Sequence, residues 1–310
     1  MEVLHPRCAG LDVHAQRVTA CIRLAEGATV TREEQTFGTT TPGLLALAEW
    51  LRAHGCTHVA MEATGVYWKP VWHVLEDQVE LVLANAMHIR QVPGRKSDVN
   101  DARWIADLLA HGLIRSSFVP PTAIQAVRDL TRTRKQLRQE IARHTLRIQK
   151  TLEAANLRLT QVMSDVLGTS GRAVIAAVVA GEADPERLAE LTTGRLRAER
   201  AALVAALHGH ATAHQRFLLG LHLRQIEALE AAIAQVDAEL TEHLAPFQWA
   251  VTLLTTMPGV GEMVAQVLVG EIGVDMRRFP TAGHLVSWAG LCPRLDESAG
   301  KRRSTRVRHG

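Results

Sequence analysis

Two acids stand three residues apart in the stretch Lys96-Ser97-Asp98-Val99-Asn100-Asp101-Ala102-Arg103, where apolar residues begin to recur at helical spacing. Positions i and i+3 share a helix face, so Asp98 and Asp101 point the same way. Two carboxylates held side by side repel unless a cation stands between them. Taken alone, the pair also reads as an N-cap and a first-turn acid favoured by the helix dipole. Upstream, Asp12 lies inside the apolar run Cys8-Ala9-Gly10-Leu11-Asp12-Val13, and Glu62 follows His58-Val59-Ala60-Met61. A charge inside an apolar strand is costly to bury without a partner. Four carboxylates facing one point are oxygen-only ligands of the kind Mg²⁺ prefers, and two such ions clamp an in-line phosphoryl displacement.

Convergence requires a particular set of elements. The pattern predicts strands over Cys8–Val13, Val18–Leu24 and Glu33–Phe37, with Gly27 in a turn, forming an antiparallel meander. An amphipathic helix follows over Pro42–His54, carrying Leu44, Leu45, Leu47, Ala48 and Leu51. A strand over 58–64, a helix over Val66–Glu76, a strand over Glu80–Ala84, a turn at Pro93-Gly94 and the Asp98 helix complete the region. That helix anchors through Trp104, Ile105, Leu108 and Leu109. Three strands, helix, strand, helix, strand, helix is the order of an α/β ribonuclease H-like fold. Its first and fourth strands are central neighbours, so Asp12 and Glu62 meet and the Asp98 helix packs at the same edge.

From Thr122 to about Leu244 the sequence becomes helical. Leu130, Leu137, Ile141, Ile148, Leu152 and Leu159 step by seven and four, and Leu219, Ile226, Leu229, Ile233, Val236 and Leu240 keep a similar rhythm. The seams imply an antiparallel hairpin or an intermolecular coiled coil. Between Arg128 and Lys150 eight Lys or Arg stand against two acids, so Arg128, Arg132, Arg134, Lys135 and Arg138 are candidates for a nucleic-acid backbone. A solvated helix face is the simpler alternative. His208, His210 and His214 have no completing cysteine or acid nearby and read as surface helix residues rather than a zinc site. In the last region Pro258-Gly259-Val260-Gly261 opens an apolar helix over Met263–Ile272. Exposed N–H groups there suit phosphate, as in a helix-hairpin-helix contact, although a plain turn would look the same.

Three motifs carry a family likeness: Gly10-Leu11-Asp12-Val13-His14, Met61-Glu62-Ala63-Thr64-Gly65, and the Asp98–Asp101 stretch with its following Ala102-Arg103. They resemble, in order and separation, the DEDD transposases of the insertion-sequence-110 family, to which Piv-type DNA invertases are related. Trp288-Ala289-Gly290-Leu291-Cys292-Pro293-Arg294 is similar to the Ala-Gly-Leu-x-Pro-Arg signature of that family's C-terminal transposase domain. The resemblance implies a RuvC-like N-terminal domain in which Asp12, Glu62, Asp98 and Asp101 hold two Mg²⁺ ions. It also implies a serine shortly after the C-terminal signature that attacks DNA and becomes covalently linked to it. Ser298 is the matching position, with Ala299 where glycine is common, and Ser304 is a fallback in the same basic segment. Arg294, Lys301, Arg302 and Arg303 would neutralise the scissile phosphate there. Donor and target DNA, a structured noncoding RNA from the element, and assembly into dimers and tetramers are implied as partners. Family members continue past this point with a basic segment and further helices, so the C-terminal domain is expected to be truncated at Gly310.

The whole reading is thus a RuvC-like catalytic domain over 1–121, an all-α helical or coiled-coil region over 122–245, and a mainly α C-terminal domain over 246–310. With 310 residues, 47% of them hydrophobic, and a net charge of only +3, disorder is excluded for most of the chain. Four scattered cysteines without a CxxC pair fit a reducing cytoplasm rather than disulfides or structural zinc. No apolar run is long enough to span a membrane. Rival readings are a RuvC-like nuclease that uses water and leaves no covalent intermediate, and an inactive nucleic-acid-binding remnant. A tyrosine recombinase is disfavoured, because the single tyrosine, Tyr67, lacks the separate Arg/His set such enzymes use.

Overall fold

The computed structural model describes residues 2–27, 29–63, 65–85, 89, 101–193 and 200–291 in full, and 296–298 and 301–304 by their backbone. It divides into two compact units, Met1–Val119 and Pro120–Gly310.

The first unit runs β1 (Arg7–Val13), β2 (Arg17–Glu26), β3 (Thr29–Gly38), α1 (Thr41–Ala53), β4 (His58–Glu62), α2 (Trp68–Leu75), β5 (Glu80–Ala84) and α3 (Asp101–Ala110). The sheet order is β3-β2-β1-β4-β5, with β1 antiparallel to β2 and parallel to β4. This mixed sheet with helices fits the expected ribonuclease H-like domain. Strands β2 and β3 are longer than the sequence pattern predicts. They stay in register from Arg17↔Gly38 to Glu26↔Thr29, across a turn where Gly27 takes φ +60. Strand β3 lies at the sheet's edge and buries only Phe37, so apolar alternation under-reports a segment held by backbone pairing.

Strand side chains alternate faces, and the two faces of this sheet carry different helices. Ala9, Leu11, Val13, Val59, Met61 and Leu83 pack with Leu44, Leu47 and Leu51 of α1 and Val71 and Leu75 of α2. On the other face Cys8, Ala60 and Ala84 meet Ile105, Leu108 and Leu109 of α3. In α1, Leu44, Leu47, Ala48 and Leu51 follow i, i+3, i+4, i+7, the stripe that one buried face requires. Each fully buried leucine contributes roughly 2 kcal/mol of transfer free energy.

The second unit contains α4 (Thr122–Ala154), α5 (Leu159–Val162), α6 (Thr169–Ala180), α7 (Pro185–Glu190), α8 (Arg200–Ala206), α9 (Ala213–Leu244), α10 (Gln248–Thr255), α11 (Glu262–Ile272) and α12 (Ala282–Trp288). A two-stranded hairpin, β6 (Asp296–Ser298) and β7 (Lys301–Ser304), follows. The long helices α4 and α9 pack antiparallel within the chain, since Arg134 meets Asp237 and His144 meets His222. Residues 122–245 and 246–310 therefore lie in one unit. One apolar cluster joins Ile124 and Val127 to Leu240, Leu244, Val251 and Val269. A second gathers Ile148, Leu152, Val174, Ile175, Leu188, Leu203, Leu219 and Ile226 at the other end of the pair. Thr212 and Gln215 form a capping box that starts α9, which leaves His208 and His210 in the connection before it. Of the three histidines expected on a surface helix, only His214 is on one, although all three are exposed. Among the described residues no helix is long and apolar enough to cross a membrane.

Candidate catalytic and nucleic-acid sites

Parallel pairing of β1 with β4 runs from Cys8↔His58 to Leu11↔Met61. The next positions along both strands are Asp12 and Glu62. Both fall on the α3 face, Asp12 in phase with Cys8 and Gly10, and Glu62 in phase with Ala60. Both are half-buried, and Asp101, also half-buried, opens α3. Asp101 stands in the first turn of the helix that packs on that face. Asp98, the fourth acid, lies outside the described residues. Among the described residues no three metal-ligating side chains form a set, so the structure brings together the elements that carry Asp12, Glu62 and Asp101 without an assembled centre. Their donor chemistry is carboxylate only, which fits a hard divalent cation.

Close packing of α3 on β1 depends on Gly10. A Cβ at that residue would stand 2.1 Å from Ala102 O and 2.4 Å from Ala106 N, so only glycine admits the helix. Further along α3, Oδ1 of Asp107 accepts from Arg23 Nε at 3.0 Å and Arg32 Nη2 at 2.7 Å. Arg23 and Arg32 face each other across β2 and β3, and the Arg23 side chain is only 5% exposed. This bridge ties α3 to the meander. Sequence reasoning missed all three residues, because each looks like an ordinary surface charge until the sheet register is known.

Asp12 has one described side-chain partner, His14, whose Nε2 lies 3.1 Å from Asp12 Oδ2. His14 also lines an open cleft of about 440 Å³ with Val13, Ala15, Gln16, Arg17 and Tyr67. The buried thiols nearby are inert. Burial pushes Cys8 and Cys21 up to about 12 and Cys56 up to about 11, so all three stay protonated and act as packing groups.

The basic stretch of α4 divides by geometry. Arg128 donates to Gly270 O and Glu271 O at 3.0 and 2.8 Å, and Arg132 forks onto both Glu271 carboxylate oxygens at 2.7 and 2.8 Å. Buried Arg134 binds Asp237 Oδ1 at 2.9 Å and Gln266 Oε1 at 2.8 Å. These three arginines fasten α11 and α9 to α4. Lys135 and Arg138 are exposed on the same helix.

Between α10 and α11, Gly259 takes φ +83, and nothing stands within 4 Å of a Cβ at Gly259 or Gly261. The turn with Pro258 is therefore open. Glu262, however, already supplies a negative charge to the first turn of α11. Ser298 closes β6 opposite Lys301, and Ser304 closes β7 opposite Asp296, so the two serines sit at opposite ends of the hairpin. Ser298 thus ends a strand rather than lying in an irregular loop. Arg302 and Arg303 belong to β7, while Arg294 lies outside the described residues.

Residues 9–157 match a family described as "Transposase", the DEDD type of the IS110 group, and residues 251–310 match "Transposase IS116/IS110/IS902 family". The chain belongs to the IS110 family of transposases. It is 45% identical over 73 residues to "Insertion element IS110 uncharacterized 43.6 kDa protein" of Streptomyces coelicolor, a match covering 23% of this chain and 16% of that protein. It is also similar to the Thermus thermophilus RuvC structure, at 14% identity and a TM-score of 0.28, over 36% of this chain and 99% of that one.

Proposed function

We propose that this chain is the DNA transposase of an insertion element, cutting and rejoining strands through a serine ester. The observation that carries the reading is the parallel β1–β4 register, which sets Asp12 and Glu62 on neighbouring strand ends beneath the start of α3. Asp12, Glu62, Asp98 and Asp101 would hold divalent metal, most simply two Mg²⁺. Bound metal would supply charge neutralisation at the phosphate under attack. Ser298 Oγ then attacks the scissile phosphorus, and the bond to the departing deoxyribose oxygen breaks. The serine proton leaves to solvent, the departing oxygen takes one up, and the phosphodiester's energy is kept in the ester.

Lys301, Arg302 and Arg303, close to Ser298 in sequence, and Arg294 before it would supply positive charge to the scissile phosphate, while Lys135 and Arg138 would grip a backbone on α4. Pro258, Gly259 and Gly261 offer a second, weaker phosphate contact. Donor and target DNA are the substrates, and a structured noncoding RNA would pair with both. Assembly as dimers and tetramers in the cytoplasm would bring Ser298 of one copy or another to the acids.

The test is a denaturing gel of protein incubated with labelled element-end DNA, guide RNA and Mg²⁺. Wild type should form a covalent adduct that Ser298→Ala abolishes and Ser304→Ala leaves. Asp12→Asn, Glu62→Gln, Asp98→Asn and Asp101→Asn should each lower adduct formation by at least about a hundredfold, because each removes a ligand outright. Full adduct from Asp12→Asn or Ser298→Ala would overturn the reading.

A further inference from the structure

The cleft beside Asp12 is not used by the four acids or by the serine. It opens at the carboxyl ends of β1 and β4, where open α/β sheets place their ligands. Its lining brings together the exposed residues Tyr67, Arg17 and Gln16, and it reaches Asp12 through His14. Among the described residues no carboxylate pairs with Arg17. A cation left unneutralised beside a carboxylate pair favours an anion brought by something else.

The lining is also held in shape. His14 N donates to Arg17 O at 2.9 Å, and Thr39 Oγ1 donates to Ala15 O at 2.9 Å, so the β1–β2 turn is tied at both ends. Tyr67 precedes α2, and a Cβ at Gly65, where φ is +55, would lie 3.7 Å from the Tyr67 ring. A volume of about 440 Å³ lies in the range of small-ligand sites and takes one base with its sugar.

We propose that this cleft binds the nucleotide flanking the scissile phosphate on the DNA strand being cut. Tyr67 stacks on its base, Arg17 pairs with its outer phosphate, and Gln16 offers an amide to the base edge. Stacking is tolerant of sequence, because every base has a π-face, so the cleft positions the strand rather than selecting a target. The proposal rests on the acids being the cutting site, which fixes DNA rather than guide RNA as the occupant.

The experiment uses the full chain without metal, in EDTA, with a short oligo(dT) carrying one 2-aminopurine, whose fluorescence falls on stacking. Wild type and Tyr67→Phe should both quench the probe. Tyr67→Ala should lose the quench and bind about tenfold more weakly, the effect of removing one base–aromatic stack. Arg17→Gln should lower the slope of log affinity against log salt by roughly 0.7, one single-strand phosphate. Circular dichroism and the urea midpoint establish that each variant is folded. Quench and affinity unchanged in folded Tyr67→Ala would overturn the proposal, as would tenfold tighter Tyr67-dependent binding of the matching oligoribonucleotide. A fully active Asp12→Asn would remove the acids' role and leave the metal-free stacking result standing. A failed quench would leave the acids' role untouched.

Discussion

Gly10 and Ala102 come together so closely that a methyl group on Gly10 would stand 2.1 Å from the Ala102 carbonyl oxygen. Strand β1 and helix α3 each carry an acid of the proposed site, so this contact sets the spacing between Asp12 and Asp101. Gly10→Ala should force the helix outward. The expected cost is about 1–3 kcal/mol of overpacking in urea unfolding, with a larger proportional loss of adduct formation. A variant as stable and active as wild type would show that the spacing is not critical.

Asp107 should act through the same helix from its other end. Removing its carboxylate in Asp107→Ala leaves the nearly buried Arg23 facing Arg32 with no anion between them. Breaking a buried ion pair at one partner typically costs about 3–5 kcal/mol, and the partial exposure of Asp107 places this case near the lower end. Urea unfolding of Asp107→Ala, beside Arg23→Met with its charge also removed, measures it. The double variant should recover part of the loss.

Much of this arrangement could be read from residue order. Asp12, Glu62 and Asp101 announced themselves because charge inside an apolar strand, or at the head of an amphipathic helix, breaks a pattern. The element order and the extent of β5 followed from the same periodicity. What escaped was whatever depends on register. Arg23, Arg32 and Asp107 lie on three elements, and only the β2–β3 pairing makes them neighbours. The roles of Arg128, Arg132 and Arg134 were hidden likewise, since a basic run on a helix reads as one face until a second helix claims part of it.

That division of α4 can be measured. Lys135→Gln and Arg138→Gln should each lower the slope of log affinity against log salt by about 0.7–0.9, with little change in stability. Arg134→Gln should do the reverse, because its charge is committed to Asp237 and Gln266. Its expected cost is about 3 kcal/mol in urea unfolding, with the salt slope unchanged. A lowered slope in a folded Arg134→Gln would return this arginine to the nucleic-acid face.

His222, packed beside His144, gives the second unit a pH dependence. Their Nδ1 atoms lie 3.2 Å apart, and burial first, then His144, then Arg147, lowers His222 below the ordinary histidine value of 6.5. The folded state therefore binds fewer protons than the unfolded chain below about pH 6.5. The stability His222 contributes is complete above that value and declines as pH falls through the lowered folded range. His5 acts in the same direction in the first unit. Urea midpoints at pH 7.5 and 5.0 should differ, and His222→Gln should shrink the difference while His5 keeps the remainder. An unchanged difference would remove His222 from this role.

The antiparallel helix pair has a consequence for how this chain can change length. Helix α4 has 33 residues, a rise of about 50 Å, and the apolar clusters at its two ends share no residue. The cluster near Ile124 is closed by residues from both the departing and the returning helix, so everything between Ile141 and Ile226 behaves as an insertion. Adding or deleting matched heptads in α4 and α9 would slide the far cluster outward or inward like a telescoping rod. The near cluster, with α10 and α11, would keep its geometry, and reach could be adjusted separately from chemistry.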